Sequence, residues 1–296
     1  MKEHQAREII FEEKVKKLLQ DSNYINILYH NILGRSSSHG INSYGKLNVP
    51  TAFIFPLRII FQYKYYAKNK VELMHVRDFG GIIADISETN YAIQGDMGNI
   101  CDRYNYTGCY FSATAFSREA QEYAWAHNIF MVSLERIGVM QPILKKIDSF
   151  VSGLSENIIN NITKQELLEG YEREVDEENI IPEGAIGIIN DVYPVMILGK
   201  NGWTKPVIEE ATKSEINRAY IDSVYRSENQ FEANFELNFI ECSEEFSVPI
   251  TVVEKLMNRE DNETKNNVIF NIDIPFISDK GIKKFVSLEV FLEGFN

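Results

Sequence analysis

Residues 52–66 read AFIFPLRIIFQYKYY, and the second part of this stretch decides the fold. Pro56 interrupts the run, because proline cannot donate a hydrogen bond to a neighbouring strand. The apolar residues after it give way to polar ones, which predicts a buried strand that ends at the surface. Residues i and i+2 of a strand point to the same face, so we expect Gln62 and Lys64 to reach one pocket.

A helix is predicted before this strand. Residues 3–19 place four apolar side chains on one helical face, namely Phe11, Val15, Leu18 and Leu19. Glu8 lies on the same stripe and Glu12 lies at its edge. Such carboxylates usually reach solvent from the rim of a helix; the alternative is that one of them points into a metal site. A turn-rich loop at 34–40 precedes the strand.

The chain after the strand predicts further helices and strands. The predicted elements are a helix at 71–86, strands at 90–94, 106–113 and 129–134, and a helix after Ser117. Ser117 is typical of a helix N-cap, with Glu119 in the first turn. These elements predict an α/β domain, assigned to residues 1–150, with a mixed sheet flanked by helices.

A second domain is predicted after a connector. Residues 151–182 are polar and partly helical, which indicates the connector. Residues 183–296 contain apolar residues at every second position, as in strands with one buried face; these runs begin at Phe231, Val268 and Val286. Lys200-Asn201-Gly202 is typical of a hairpin turn. We expect a β-rich (α+β) domain of unknown type with an antiparallel sheet.

Charge differs sharply between the two halves. The whole chain has a net charge of −13. Residues 1–150 hold 17 Lys and Arg against 15 Asp and Glu, a net of +2, and residues 151–296 hold 13 against 28, a net of −15. The charge of the first half is therefore compatible with binding to the phosphate backbone of a nucleic acid, whereas the second half would repel that backbone. The acidic half is expected to face a basic protein partner or a second copy of the chain.

Several classes of protein are not indicated. We expect a cytoplasmic protein without a membrane segment, because there is no secretory signal pattern and the longest apolar run, 51–61, is too short to span a bilayer. The three cysteines lack CxxC spacing and the five histidines form no HExxH pair. Ser112 and Ser117 lie outside any GxSxG elbow.

Gln62-Tyr63-Lys64 has the spacing that metal-dependent phosphodiester hydrolysis uses. That chemistry needs acidic or carbonyl oxygens to hold a divalent ion, and a cation to orient water or stabilise developing charge. A common solution is an acidic residue on one strand and an acid-x-Lys pair on the next. The triplet alone is weak, but His39-Gly40-Ile41-Asn42-Ser43 precedes it and residues 108–134, GCYFSATAFSREAQEYAWAHNIFMVSL, follow it.

This succession resembles the Mrr-like branch of the PD-(D/E)XK nuclease superfamily over residues 1–140. That branch has a Gly-Ile-Asp element, a strand with Glu or Gln, any residue and Lys, and then a strand, a small-residue turn, an Ala-rich helix and a short apolar strand. The resemblance implies a restriction-endonuclease-like fold and a Mg²⁺- or Mn²⁺-dependent DNA endonuclease of bacterial restriction or anti-phage defence.

Carried over by residue, Lys64 matches the catalytic lysine, and Gln62 matches the second metal-coordinating and catalytic position. Asn42 matches the first metal aspartate and departs from the family pattern. A carboxamide offers only a neutral oxygen, so Asn42 and Gln62 bring no negative charge to a dication. Glu8 or Glu12 would have to supply it. The interpretation requires positions 42, 62 and 64 to converge beside the first helix.

Three explanations of Asn42 remain open: a natural pseudo-nuclease, an inactivating change introduced at that position, and a shifted carboxylate such as Glu72. Candidate phosphate-contacting residues are Arg35, His39, Arg58 and Arg77, although single basic side chains are usually solvated or paired. The functional alternatives are an endonuclease, a non-catalytic subunit for nucleic-acid binding or assembly, and an enzyme whose groove the acidic half shields.

Overall fold

The computed structural model describes residues 1–21, 24–28, 31–47, 55–88, 104–174, 182–199, 217–237, 243–257, 267–277 and 283–293. The helices are α1 (Glu3–Asp21), α2 (Leu73–Glu88), α3 (Arg118–Ala126), α4 (Gln141–Gly153), α5 (Glu156–Asn161), α6 (Lys164–Glu174) and α7 (Ile250–Met257). Within the described part, no helix is both long and apolar enough to cross a bilayer.

The first part of the chain is a mixed α/β structure built on one sheet. Its strands are β1 (Tyr24–Leu28), β4 (Ser43–Leu47), β5 (Leu57–Lys64), β6 (Asn105–Ser112) and β7 (Ile129–Ser133), in that spatial order. β1, β4 and β5 are antiparallel, whereas β5, β6 and β7 are parallel. The short strands β2 (Asn31–Leu33) and β3 (Ser38–Gly40) form a separate hairpin. Part of the loop predicted at 34–40 is therefore a strand.

Successive side chains of β5 point alternately into two hydrophobic cores, as the strand sequence predicts. Ile59, Phe61 and Tyr63 are buried on the face that packs against α1. Ile60 points the other way, into the core under α2 and α3. Burying each such apolar side chain stabilises the fold by about 1.5–3 kcal/mol, so both faces of β5 hold the sheet between its helices.

Helices α4, α5 and α6 belong to the same core as α1. Ile147 of α4, and Leu167 and Tyr171 of α6, are buried in the cluster that contains Phe11 and Val15 of α1. Lys14 of α1 also forms an ion pair with Glu172 of α6. The described part of the segment predicted as a connector, 151–174, consists mainly of helix, and one face of it is packed rather than solvated.

The second part is a seven-stranded closed barrel. Its strands are β8 (Glu183–Ile189), β9 (Tyr193–Gly199), β10 (Asn217–Arg226), β11 (Gln230–Leu237), β12 (Ser243–Pro249), β13 (Asn267–Ile277) and β14 (Lys283–Glu293). The neighbours are antiparallel except for β10 and β14, whose parallel pairing closes the barrel. Phe231, Phe246, Ile272 and Leu288 are fully buried in its core. The predicted turn at 200–202 and the predicted strand at 90–94 lie outside the described residues.

Buried polar contacts join the barrel to the α/β part. Gln121 of α3 donates to the backbone oxygen of Asn229 at 2.6 Å and accepts from the backbone nitrogen of Thr251 at 3.2 Å. Ser133, at the end of β7, donates to Gln230 at 3.1 Å. Since buried polar groups need such partners, these contacts fix the barrel against one side of the sheet.

Candidate functional site

Two carboxylates on α1 organise the candidate site. Glu8 and Glu12 are four residues apart, so they lie on one helix face about 6 Å apart along the axis. The Glu12 side chain is only 8% exposed and that of Glu8 is 23% exposed. Both lie next to the apolar stripe that anchors α1, which explains why a helix-rim carboxylate is buried here.

Lys64 contacts the first of these carboxylates. It is the last residue of β5, and its Nζ donates to Glu8 Oε1 and Oε2 at 3.2 Å each. The Lys64 side chain is 25% exposed. Gln62 is half-buried two residues earlier on the same strand. The end of β5 thus carries one lysine that is paired with α1 and remains partly open to solvent.

Asn42 contacts the second carboxylate. It immediately precedes β4, whose first residue Ser43 is in register with Phe61 of β5. The Asn42 side-chain nitrogen donates to Glu12 Oε2 at 2.9 Å. The structure therefore brings Asn42 and Lys64 to successive turns of one helix face, each on its own carboxylate.

Two lysines that the sequence analysis did not single out also contact Glu12. Lys16 is 1% exposed and its ammonium group is hydrogen-bonded to Glu12 Oε1. Lys164, the first residue of α6, lies 3.8 Å from the same oxygen. The Glu12-x-x-x-Lys16 spacing is a signal that could have revealed Lys16, whereas nothing local to Lys164 points to α1. We call Glu12, Lys16, Asn42 and Lys164 the Glu12 cluster.

Burial shifts the pKa of two groups around these carboxylates. Burial lowers the pKa of Lys16, although its hydrogen bond to Glu12 opposes that shift. Burial, and secondly the charge of Glu8, raise the pKa of Tyr66. Tyr66 also shares a 2.9 Å hydrogen bond with His75 of α2. Tyr66 is therefore a phenol that stays protonated at neutral pH and is hydrogen-bonded to α2.

The candidate phosphate-contacting residues are spread over the α/β part. Arg35 pairs with Glu88 at 2.5 Å, and His39 bonds to Asp85 at 2.7 Å, so both tie the β2–β3 hairpin to α2. Arg58 packs on the ring of Tyr104, with its guanidinium carbon 3.6 Å from the ring centre. It lies six residues before Lys64 on β5, about 20 Å away. Arg77 is exposed on α2, and Glu72 is exposed just before that helix.

The arrangement does not suit a divalent cation. Each oxygen of Glu8 and Glu12 accepts a contact from a nitrogen donor, and three of the four donor groups are ammonium ions. A hard dication needs carboxylate or carbonyl oxygens that face it, and nearby ammonium groups would repel it. Within the described ranges, no three His, Cys, Asp or Glu side chains cluster closely enough to hold a metal ion.

Comparison with known proteins adds one distant structure. No protein-family model and no curated protein matches the sequence. A solved structure titled as a protein of unknown function, AF1548, aligns with 55% of this chain and 95% of its own, at 13% identity and a TM-score of 0.33. A likeness of that size carries no argument about fold or function.

Proposed function

We propose that residues 1–150 form a restriction-endonuclease-like domain of the Mrr type, and that the chain uses it to bind DNA without cutting it. The order of elements supports this fold. Helix α1 is followed by the antiparallel strands β1, β4 and β5, and then by the parallel strands β6 and β7, each reached after a helix. A turn of small residues, 113–115, joins β6 to α3, as the family resemblance leads us to expect.

One observation carries the non-catalytic part of the proposal: Asn42 donates its amide hydrogen to Glu12 Oε2 at 2.9 Å. An aspartate could not make this contact, because two ionised carboxylates at that distance repel each other unless a cation or proton lies between them. The asparagine therefore fits the Glu12 cluster as it stands. It supplies a hydrogen-bond donor where a metal site would need an acceptor.

Lys64 is the residue that we expect to contact a DNA phosphate. It lies at the end of β5, in register with Ser112 at the end of β6, and Ser112 is in register with Ser133 at the end of β7. The Lys64 side chain is partly exposed at this end of the strands, and residues 1–150 carry a net charge of +2. A lysine at the end of a strand can hold a phosphate oxygen without any metal ion.

Fluorescence anisotropy of the full chain with labelled duplex DNA, single-stranded DNA and RNA tests this function. Binding to duplex DNA should not require Mg²⁺ and should persist in EDTA. Lys64→Gln should weaken it about 3- to 10-fold and lower the salt dependence by roughly one counterion. Lys145→Gln removes the same charge from the exposed face of α4 and should have little effect. Absence of binding to all three ligands would reject a nucleic-acid function.

The acidic second half has a separate proposed role. Its net charge of −15 would repel DNA, so we assign it to contact with a basic protein partner or a second copy of the chain. Such an assembly would operate in the cytoplasm, where DNA is accessible. Size-exclusion chromatography with light scattering at low and high salt separates self-association from a monomer.

A metal-dependent endonuclease of a restriction or anti-phage system is the second candidate. The position of Lys64 favours it, because this lysine projects at the end of a central strand beside a carboxylate of α1, where no core packing requires it. Plasmid nicking in Mg²⁺ or Mn²⁺ by the wild type and by Asn42→Asp separates the two functions. Cleavage by the wild type would overturn the non-catalytic proposal. Cleavage by Asn42→Asp alone would indicate that the asparagine has silenced a nuclease.

A further inference from the structure

We infer that Lys16 and Lys164 take the place of a divalent cation in the Glu12 cluster and hold α1, α6 and the start of β4 together. The inference rests on the non-catalytic function proposed above. It goes further in assigning to two lysines the charge that a metal ion would otherwise bring.

The position of Lys16 is the first support. A buried carboxylate such as Glu12 needs a compensating positive charge, because desolvation of an unpaired charge is costly. Lys16 provides that charge one helical turn later, at 2% side-chain exposure. Its ammonium also lies 5.7 Å from the centre of the Tyr63 ring, within the range of a cation–π contact. The ammonium is thus seated between a carboxylate and an aromatic ring.

The second support is that contacts to Glu12 come from three separate parts of the chain. Lys16 lies on α1 itself, Lys164 is the first residue of α6, and Asn42 immediately precedes β4. The two ammonium groups share Oε1, and the amide takes Oε2. A bound divalent ion links chain segments in the same way, by drawing ligands from different elements to one charge.

Charge accounts for the identity of residue 42. Lys16 and Lys164 together bring the two positive charges of a dication, close to the single negative charge of Glu12. A metal ion added beside them would meet strong repulsion at these distances. A neutral donor at position 42 is therefore compatible with the lysines, whereas metal binding requires an acceptor at position 42 and the loss of lysine charge.

Mn²⁺ binding by the full chain tests this inference without nucleic acid, so its failure is distinguishable from failure of the proposed function. Mn²⁺ is followed by electron paramagnetic resonance and by its effect on Tm. The variants are Asn42→Asp, Asn42→Asp with Lys16→Met, and Asn42→Asp with Lys17→Met. Lys17 is the exposed neighbour on α1 and serves as the matched control.

Wild type, Asn42→Asp and the Lys17 control should bind no Mn²⁺ at millimolar concentration. The Asn42→Asp, Lys16→Met variant should bind one ion, and at 100 times its Kd the ion should raise Tm by roughly 5–10 °C. Stoichiometric Mn²⁺ binding by the wild type would overturn the inference. So would a folded double variant that binds none.

A variant at the exposed lysine covers the case in which loss of Lys16 prevents folding. Lys164 is 49% exposed, so Asn42→Asp with Lys164→Gln should fold. It should bind Mn²⁺ at millimolar concentration, where Asn42→Asp alone binds none. Refolding of the Lys16 variant by Mn²⁺ would support the inference, whereas a folded Asn42→Asp, Lys164→Gln variant that binds no Mn²⁺ at that concentration would contradict it.

Discussion

The hydroxyl of Tyr193, on β9 of the barrel, accepts a hydrogen bond from the backbone nitrogen of Met131 at 2.8 Å and lies 3.3 Å from the Met131 backbone oxygen. Met131 is on β7, the edge strand of the α/β sheet. An edge strand presents unpaired N–H and C=O groups, which are costly when buried. The Tyr193 hydroxyl thus provides a hydrogen-bond partner for both the N–H and the C=O of Met131. In this way the barrel covers the outer side of β7, where another strand would otherwise supply these hydrogen bonds.

Tyr193→Phe should therefore destabilise the chain by about 1–3 kcal/mol, because it leaves both backbone groups of Met131 buried without this partner. Urea unfolding at neutral pH measures the loss. Tyr225→Phe is the matched control, since Tyr225 is 39% exposed, and it should change the free energy of unfolding by less than about 0.5 kcal/mol. Equal effects of the two variants would contradict this role of Tyr193.

Leu167→Ala tests whether the segment after residue 150 is part of the core. Leu167 is fully buried against α1, so its truncation leaves a cavity and should cost about 2–5 kcal/mol. Glu169→Ala on the exposed side of the same helix should be nearly neutral. A loss below about 1 kcal/mol for Leu167→Ala would mean that α6 is a loosely attached linker. Removing residues after 150 would uncover the same face of α1.

The sequence predicts the elements whose cause is local. The four apolar residues of α1 are buried, and the strand after Pro56 is β5. Ser117 is the N-cap of α3 and accepts from the backbone nitrogen of Ala120. Alternating apolar residues also mark β11, β13 and β14. In each case spacing along the chain determines which side chains meet.

Contacts between distant segments have no such local signal. The parallel pairing of β10 with β14 closes the barrel, although strand alternation alone predicts only an antiparallel sheet. The same limit applies to the candidate site. Glu8 and Glu12 follow from the helical spacing of α1, and Asn42 and Lys64 from the family resemblance over residues 1–140, whereas Lys164 reaches Glu12 only because α6 packs on α1.

The β2–β3 hairpin should depend on pH through Asp85. Hydrogen bonds from His39, and secondly from Ser36, hold the pKa of Asp85 at about 2, below its ordinary value of 3.8. The ionised form is favoured in the folded state, so the stability it contributes is present above pH 3.8 and is lost as the pH falls towards 2. Gly34 lies next to this carboxylate, and a Cβ at position 34 would be only 2.0 Å from Asp85 Oδ2. The absence of a side chain at Gly34 therefore leaves room for the Asp85 carboxylate.

Asp85→Asn should therefore lower the urea midpoint relative to wild type at pH 6, and the difference should shrink between pH 4 and pH 2. Asp78→Asn removes the same charge from the exposed face of α2 and should show a small difference at every pH. A difference in urea midpoint between wild type and Asp85→Asn that increases as the pH falls would contradict this mechanism.

Glu8→Gln should strengthen DNA binding if Lys64 is the phosphate contact. In the wild type both oxygens of Glu8 hold the Lys64 ammonium at 3.2 Å, so a phosphate must compete with a carboxylate. A neutral amide at position 8 removes that competition and one local negative charge, and affinity at moderate salt should rise about 3- to 10-fold. Glu3→Gln makes the same change in net charge at the exposed start of α1 and should raise affinity less than twofold. Unchanged or weaker binding by Glu8→Gln would show that Lys64 does not contact the phosphate, since releasing a lysine from its carboxylate can only favour an anion bound to it.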